Sequence, residues 1–151
     1  MKFTNEFNTI RTKDMPIFLR LIEKNLGNSV LIPFYYYDIC LENGVRVGKI
    51  SLRIGHNFHS YYNGNIGFEI EKEFRGRRYA YMATTMLIPL ALHHKMKVLI
   101  LTCNEENNAS SRTFERLGAI FRELVKPPKE YFAFYEEMPR QQIFELRIGN
   151  A

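Results

Sequence analysis

Phe74-Arg75-Gly76-Arg77-Arg78-Tyr79-Ala80 packs three arginines and a glycine into consecutive positions. On its N-terminal side Ile66, Phe68 and Ile70 alternate with Glu69 and Glu71, the two-residue period of a half-buried strand. On its C-terminal side Ala80, Ala83, Leu87 and Leu90 or Ala91 recur along one stripe, which predicts a helix from about Gly76 to His94. The arginines therefore fall where a helix begins. That end already carries about half a positive charge from aligned peptide dipoles. Three further cations there are unfavourable unless something negative binds. Unpaired backbone N–H groups, guanidinium groups and a glycine that lets the backbone come close describe a phosphate cradle.

Working outward, Pro89 removes a hydrogen bond inside the predicted helix and should kink it near Thr85. Val98 to Cys103 is continuously apolar and branched, the pattern of a strand buried on both faces. Asn107 or Asn108 then caps a short helix that stops at Gly118, with Ser110, Phe114 and Leu117 along one side. Ala119 to Val125 and Gln142 to Ile148 read as two closing strands, separated by Pro127-Pro128 and the aromatic stretch Tyr131 to Tyr135.

Upstream of the arginines, Phe34 to Leu41 reads as a strand, and Asn43-Gly44 turns it into a second one. That partner, Val45 to Ile54, alternates Ile50, Leu52 and Ile54 against Ser51 and Arg53. His56, His59, Tyr61 and Tyr62 fall in a loop. Nearer the N-terminus, Asp14 and Pro16 predict the start of a helix whose apolar side is Ile17, Leu19 (or Phe18), Leu21 and Ile22. Antiparallel strands first and a βαβ crossover in the middle imply an α/β (α+β) fold, a mixed sheet with helices on both faces.

At 151 residues the chain fits one domain, residues 1–151. Its 46% hydrophobic and 25% charged residues are those of an ordinary globule, which excludes fibrous and disordered classes. A net charge of +5 suits an acidic ligand without choosing between a nucleotide-like molecule and nucleic acid. Two cysteines far apart, Cys40 and Cys103, imply no disulfide framework. The N-terminus has no signal-peptide core, and the longest apolar run, Met86 to Leu92, is too short for a membrane span. The expectation is a cytoplasmic protein without membrane association. His56 and His59 have no carboxylate or cysteine at metal-ligand spacing, so no metal site is read.

In this order, the residues resemble the GNAT superfamily of acyl-CoA-dependent N-acetyltransferases. Arg75-Gly76-Arg77-Arg78-Tyr79-Ala80 is similar to the family's R/Q-x-x-G-x-G/A pyrophosphate loop. Val98 to Cys103, then Asn107-x-x-Ser110, then Phe114-Glu115-Arg116-Leu117-Gly118-Ala119 resembles its N-x-x-S/A…E-K/R-L-G-A/F segment. Asn65 to Ile70 resembles the strand that precedes the loop. The resemblance covers about residues 34 to 126, and two motifs in order with a buried strand between are more specific than a lone glycine-rich loop. It implies a mostly antiparallel central sheet of about six or seven strands and acetyl-CoA as cosubstrate. It also implies a primary amine as acceptor, attacked directly in a ternary complex, and allows a homodimer, since many relatives pair.

By resemblance, the cosubstrate ligands are Ile70, Arg75, Gly76, Arg77, Arg78, Tyr79, Ala80, Asn107 and Ser110. Arg78 stands where the family usually has a second glycine. Glu69 is the candidate base, with Glu71 as runner-up, since burial near apolar walls would raise a carboxyl toward a useful pKa. The backbone N–H near Ile70 is the candidate oxyanion donor. In the family this strand splays from the next one, opening a slot for the pantetheine arm. Many relatives protonate the departing thiolate with a tyrosine where this chain has Phe114, leaving Ser110, a loop tyrosine such as Tyr135, or water. His56, His59, Tyr61, Tyr62 and the Tyr131–Tyr135 rings are candidates for the acceptor side. Two rival readings stand: a catalytically silent acyl-CoA-binding regulatory domain, and a basic nucleic-acid binder. The second is disfavoured, because the basic residues form no long stripe and no nucleic-acid motif appears.

Overall fold

Two antiparallel sheets meet along one short seam, and the space beside that seam defines the molecule. The computed structural model describes residues 1–150. The elements are β1 (Thr9–Arg11), β2 (Ile17–Asn25), β3 (Phe34–Leu41), β4 (Arg46–Arg53), α1 (Phe58–Asn63), β5 (Ile66–Ile70), α2 (Tyr79–His93), β6 (Val98–Asn104), α3 (Asn108–Arg116), β7 (Ile120–Val125) and β8 (Gln141–Arg147). Strands β1 to β5 form one meander in sequence order, while β6, β8 and β7 form the second sheet in that spatial order. All pairings within the two sheets are antiparallel.

Register decides which face is core. Tyr37 pairs with Ile50 and Ile50 with Phe68, while Tyr35 pairs with Leu52 and Leu52 with Ile66. Directly opposed residues share a face, so these rows make one apolar surface. Helix α2 covers it with Ala83, Met86, Leu87, Leu90 and Ala91, all buried. Burying a side chain such as Leu87 or Leu90 contributes about 1.5–3 kcal/mol. The opposite face is polar: Arg46 bridges Asp38 (2.8 Å) and Glu71 (2.8 Å), and Arg20 reaches Asp38 at 3.3 Å. The second sheet carries α3 on one side, through the Phe114–Phe144 edge contact at 5.3 Å, and α1 beside Val98 and Ile100 on the other.

The expected N-terminal helix is strand β2. Asp14 sits in a left-handed turn (φ 72°) with Met15 N–H donating to Thr12 C=O at 3.2 Å, so it reverses β1 into β2 and caps nothing. Ile17 and Leu19 alternate into the core, whereas Phe18 faces the other way beneath the Arg11 guanidinium. The expected loop at His56 to Tyr62 contains α1. A reciprocal cap builds it: Ser60 N–H donates to Asn57 Oδ1 (2.7 Å), and Asn57 N–H donates to Ser60 Oγ (2.9 Å). Helix α2 starts at Tyr79, later than expected, because Gly76 (φ 85°) and Arg78 (φ 63°) are left-handed. It runs through Pro89 to His93 without a break. Strand β6 is fully buried on one face only: Leu99, Leu101 and Cys103 are inside, while Val98, Ile100 and Thr102 are half-buried.

Candidate active site

The seam between the sheets is a single stitch. Asn65 N–H donates to Ile100 C=O (2.6 Å), and Ile100 N–H donates to Asn65 Oδ1 (2.8 Å). The Asn65 amide also donates to Arg53 C=O (3.0 Å) and Gly55 C=O (2.8 Å), and the residue is fully buried. The next strands are not paired with each other: β5 ladders with β4 and β6 with β8. The two sheets open from Asn65 toward Ile70, in the sense that the resemblance implies.

The ladder also fixes where backbone groups point. Glu71 N–H donates to Val47 C=O at 2.9 Å, and Arg53 N–H donates to Asn65 C=O at 2.7 Å. Antiparallel pairs alternate between bonded and non-bonded, so Glu69 and Gly67 face β4 with their amides. Ile70 and Phe68 turn theirs away from β4, to the open side. The Ile70 C=O on that side accepts from Arg75 Nε at 2.9 Å, which ties the arginine loop to the end of β5.

A groove of about 700 Å³ lies there, lined by Phe68, Glu69, Ile70 and Phe74 to Ala80, and across from them by Asn107, Ala109, Ser110, Arg112, Thr113 and Arg116 of α3. All of the residues read from sequence as cosubstrate ligands line this groove. Arg112 and Arg116 join them; the sequence reading missed these two, although their spacing of one helical turn next to the Asn107 cap was the available signal. Five arginines thus surround one concavity. Among the described residues none of the five has a carboxylate within 4.0 Å.

Local geometry suits an anion. The first α-helical bond of α2 is Met82 N–H to Arg78 C=O (3.0 Å), so the amides of Tyr79, Ala80 and Tyr81 have no partner inside the helix. A Cβ built on Gly76 would meet nothing within 4 Å, so the backbone is open to an approaching group. Arg78 adopts the left-handed backbone that glycine takes freely, the physical reason a glycine suits this position. Its side chain lines the groove and makes no cap bond. Asn107 caps α3, its Oδ1 accepting from Ser110 N–H at 3.1 Å.

The chemistry-bearing side chains divide. Glu69 lies on the polar face of β5, 69% exposed and 3.9 Å from Lys49, because α2 covers the other face of the sheet. The apolar walls expected around it are absent. Glu71 is held by Arg46. Phe114 is buried against Phe68 (6.2 Å between ring centres) and Phe144. Burial pushes the Cys103 thiol up to about 11, and its sulfur lies 3.8 Å from Asn107 C=O, as suits a structural thiol. His59, Tyr62, Tyr131 and Tyr135 come together in one aromatic cluster, Tyr131 stacked on Tyr135 at 4.5 Å. Tyr61 instead bonds Glu123 of β7. His56 lines a separate apolar hollow of about 590 Å³ beside α1 and the turn after α2. No helix among the described residues is long and apolar enough to cross a membrane.

Comparison with known proteins converges on one family. The family model described as an acetyltransferase (GNAT) domain matches residues 9–120. An acetyltransferase of the GNAT family from Bacillus anthracis superposes with a TM-score of 0.59 at 20% identity, over 74% of this chain and 65% of that one. A microcin self-immunity acetyltransferase, solved in complex with acetyl-CoA and AMP, gives 0.60 at 20% identity, over 76% and 61%. An acetyltransferase from Salmonella typhimurium that modifies the N-terminal serine of a ribosomal subunit protein gives 0.58 at 16% identity, over 77% and 64%. The chain therefore spans less than two thirds of the length of these structures. The comparison with curated proteins found no match to the sequence.

Proposed function

Since this chain belongs to the GNAT acetyltransferase family, we propose that it transfers an acetyl group from acetyl-CoA to a primary amine, by direct attack in a ternary complex. The observation that carries the reading is the groove itself. Five arginines without carboxylate partners among the described residues, the open first turn of α2 and the left-handed Gly76 share one concavity beside the slot between β5 and β6. Those groups fit a diphosphate, with the amides from Gly76 to Ala80 as donors and the guanidiniums as counter-charge. Asn107 and Ser110, across the groove, would hold the pantetheine arm.

Acetyl-CoA supplies the activated acetyl group. The Ile70 N–H, turned away from β4 by the ladder's alternation, would donate to the developing oxyanion. Glu69 is the base we favour, because Glu71 is already committed to Arg46. Its carboxylate is exposed on the polar face, so it accepts the amine proton directly or through one water. Phe114 has no hydroxyl, so the thiolate takes no proton from that position, and Ser110, Tyr135 or water is left to supply one. The exposure of Glu69 and the lack of a hydroxyl at buried Phe114 also favour a second reading, a regulatory domain that binds acyl-CoA without turnover.

The test is acetyl-CoA-dependent release of free CoA thiol across a broad panel of amines. Glu69→Gln is expected to lower kcat by about 10²–10³-fold with acetyl-CoA affinity unchanged. Tight cosubstrate binding with no turnover on any amine would support the silent domain instead.

A further inference from the structure

Among the described residues, arginine is either paired with a carboxylate or lines the groove, with two exceptions. Arg11, Arg20, Arg46, Arg122 and Arg140 each meet a carboxylate. Arg75, Arg77, Arg78, Arg112 and Arg116 line the groove. Of the remaining two, Arg147 is exposed, whereas Arg53 is half-buried. Among the described residues no carboxylate lies within 4.0 Å of Arg53. Its Nη1 donates only to carbonyls, Gly64 C=O at 2.8 Å and Asn63 C=O at 3.4 Å. A half-buried cation met by neutral groups is costly. Burial pushes the pKa of the Arg53 guanidinium below its usual value, and the adjacent Tyr135 and Tyr131 oppose that.

Its surroundings are polar and incompletely bonded. Tyr131 OH, Asn63 Oδ1 and His59 Nδ1 are buried without hydrogen-bond partners, an unusual concentration in one cluster. They come from α1 and from the segment after Pro128, and they meet around Tyr135, whose OH is 3.5 Å from Asn63 Nδ2.

Position gives the cluster a meaning. Arg53 Nη1 lies 3.8 Å from where a Cβ of Gly67 would be, so the side chain crosses β5 over its one glycine. Gly67 and Glu69 point to the same face, two residues or about 7 Å apart, and Ile70 is about 10 Å along from Gly67. We propose that Arg53 and the polar groups beside it form the anion subsite of the acceptor pocket, and that the acceptor is a zwitterion whose carboxylate docks at Arg53 while its amine lies near Glu69 and Ile70. The inference rests on the acetyl-transfer reading and narrows it to amines carrying a carboxylate several ångströms away.

The experiment compares γ-aminobutyrate, δ-aminovalerate and ε-aminocaproate with their amides, at saturating acetyl-CoA. The free acids are expected to exceed their amides in kcat/KM by about 10-fold or more. Arg53→Gln raises KM for the acids by about 10–100-fold and leaves kcat, the amides and acetyl-CoA binding unchanged, while Arg53→Lys restores part of the loss. Tyr131→Phe, which removes one unpaired hydroxyl without disturbing the fold, weakens the acids alone by a few-fold. Binding of N-acetyl-ε-aminocaproate in the presence of CoA, read by calorimetry, gives a second readout free of turnover. Acids and amides that react and bind alike, or an Arg53→Gln variant that lowers both equally, overturn the zwitterion proposal. If acetyl-CoA itself does not bind, the underlying acetyl-transfer reading is what fails.

Discussion

The two ends of β5 put their polar groups to opposite uses. At the Asn65 end a fully buried side chain bonds backbone on three sides, to Ile100, Arg53 and Gly55, and locks the two sheets together. At the Ile70 end the same strand turns its amide into open space and is steadied by Arg75. One end spends a buried polar residue to fix the angle between sheets, and the other uses that angle as a slot. A continuous ladder from β5 to β6 would satisfy the backbone equally well and leave nowhere for a ligand arm to lie.

Breaking the stitch gives the largest expected effect. Asn65→Ala leaves the Ile100 N–H and two carbonyls unpaired in the interior, costing about 3–4 kcal/mol, readable as a lowered midpoint in urea. If the loss is under about 1 kcal/mol, the seam is not what holds the sheets apart. A much smaller effect sharpens the open end. Arg78 occupies a left-handed backbone in which a side chain costs about 1 kcal/mol, while glycine gains freedom in the unfolded chain. Arg78→Gly is therefore expected to change stability by less than about 1 kcal/mol, while weakening acetyl-CoA a few-fold through the lost charge. A large loss of affinity would instead make Arg78 a direct phosphate ligand.

The sequence was most legible where chemistry and period coincide. The arginine loop, the strand before it and the Asn107 cap each have a local signature, and the structure brings them to one groove. Strand β2 was misread because Ile17, Phe18, Leu19, Leu21 and Ile22 satisfy both a helical stripe and a strand with two covered faces. Pairing with β1 and β3, a non-local property, decides between them. Helix α1 was missed because its cap lies in Asn57 and Ser60, among residues of loop character. Arg53 read only as the polar partner of Ser51 in an alternating strand. Its isolation from carboxylates among the described residues depends on groups brought in from α1 and from the segment after Pro128, which no spacing rule contains. The exposure of Glu69 likewise follows from which face α2 covers, not from the strand's own pattern.

The central claim is that the arginine groove holds acetyl-CoA, and calorimetry tests it most directly. Acetyl-CoA is titrated into wild-type protein and into Gly76→Glu, with CoA and ATP as comparisons. Gly76 opens onto empty space with a left-handed backbone, so a glutamate there places a carboxylate and a strained residue at the mouth of the cradle. The account predicts micromolar binding of acetyl-CoA and CoA by the wild type, reduced about 100-fold or more in the variant. Failure of both CoA species to bind wild-type protein, or equal binding by the variant, would contradict it.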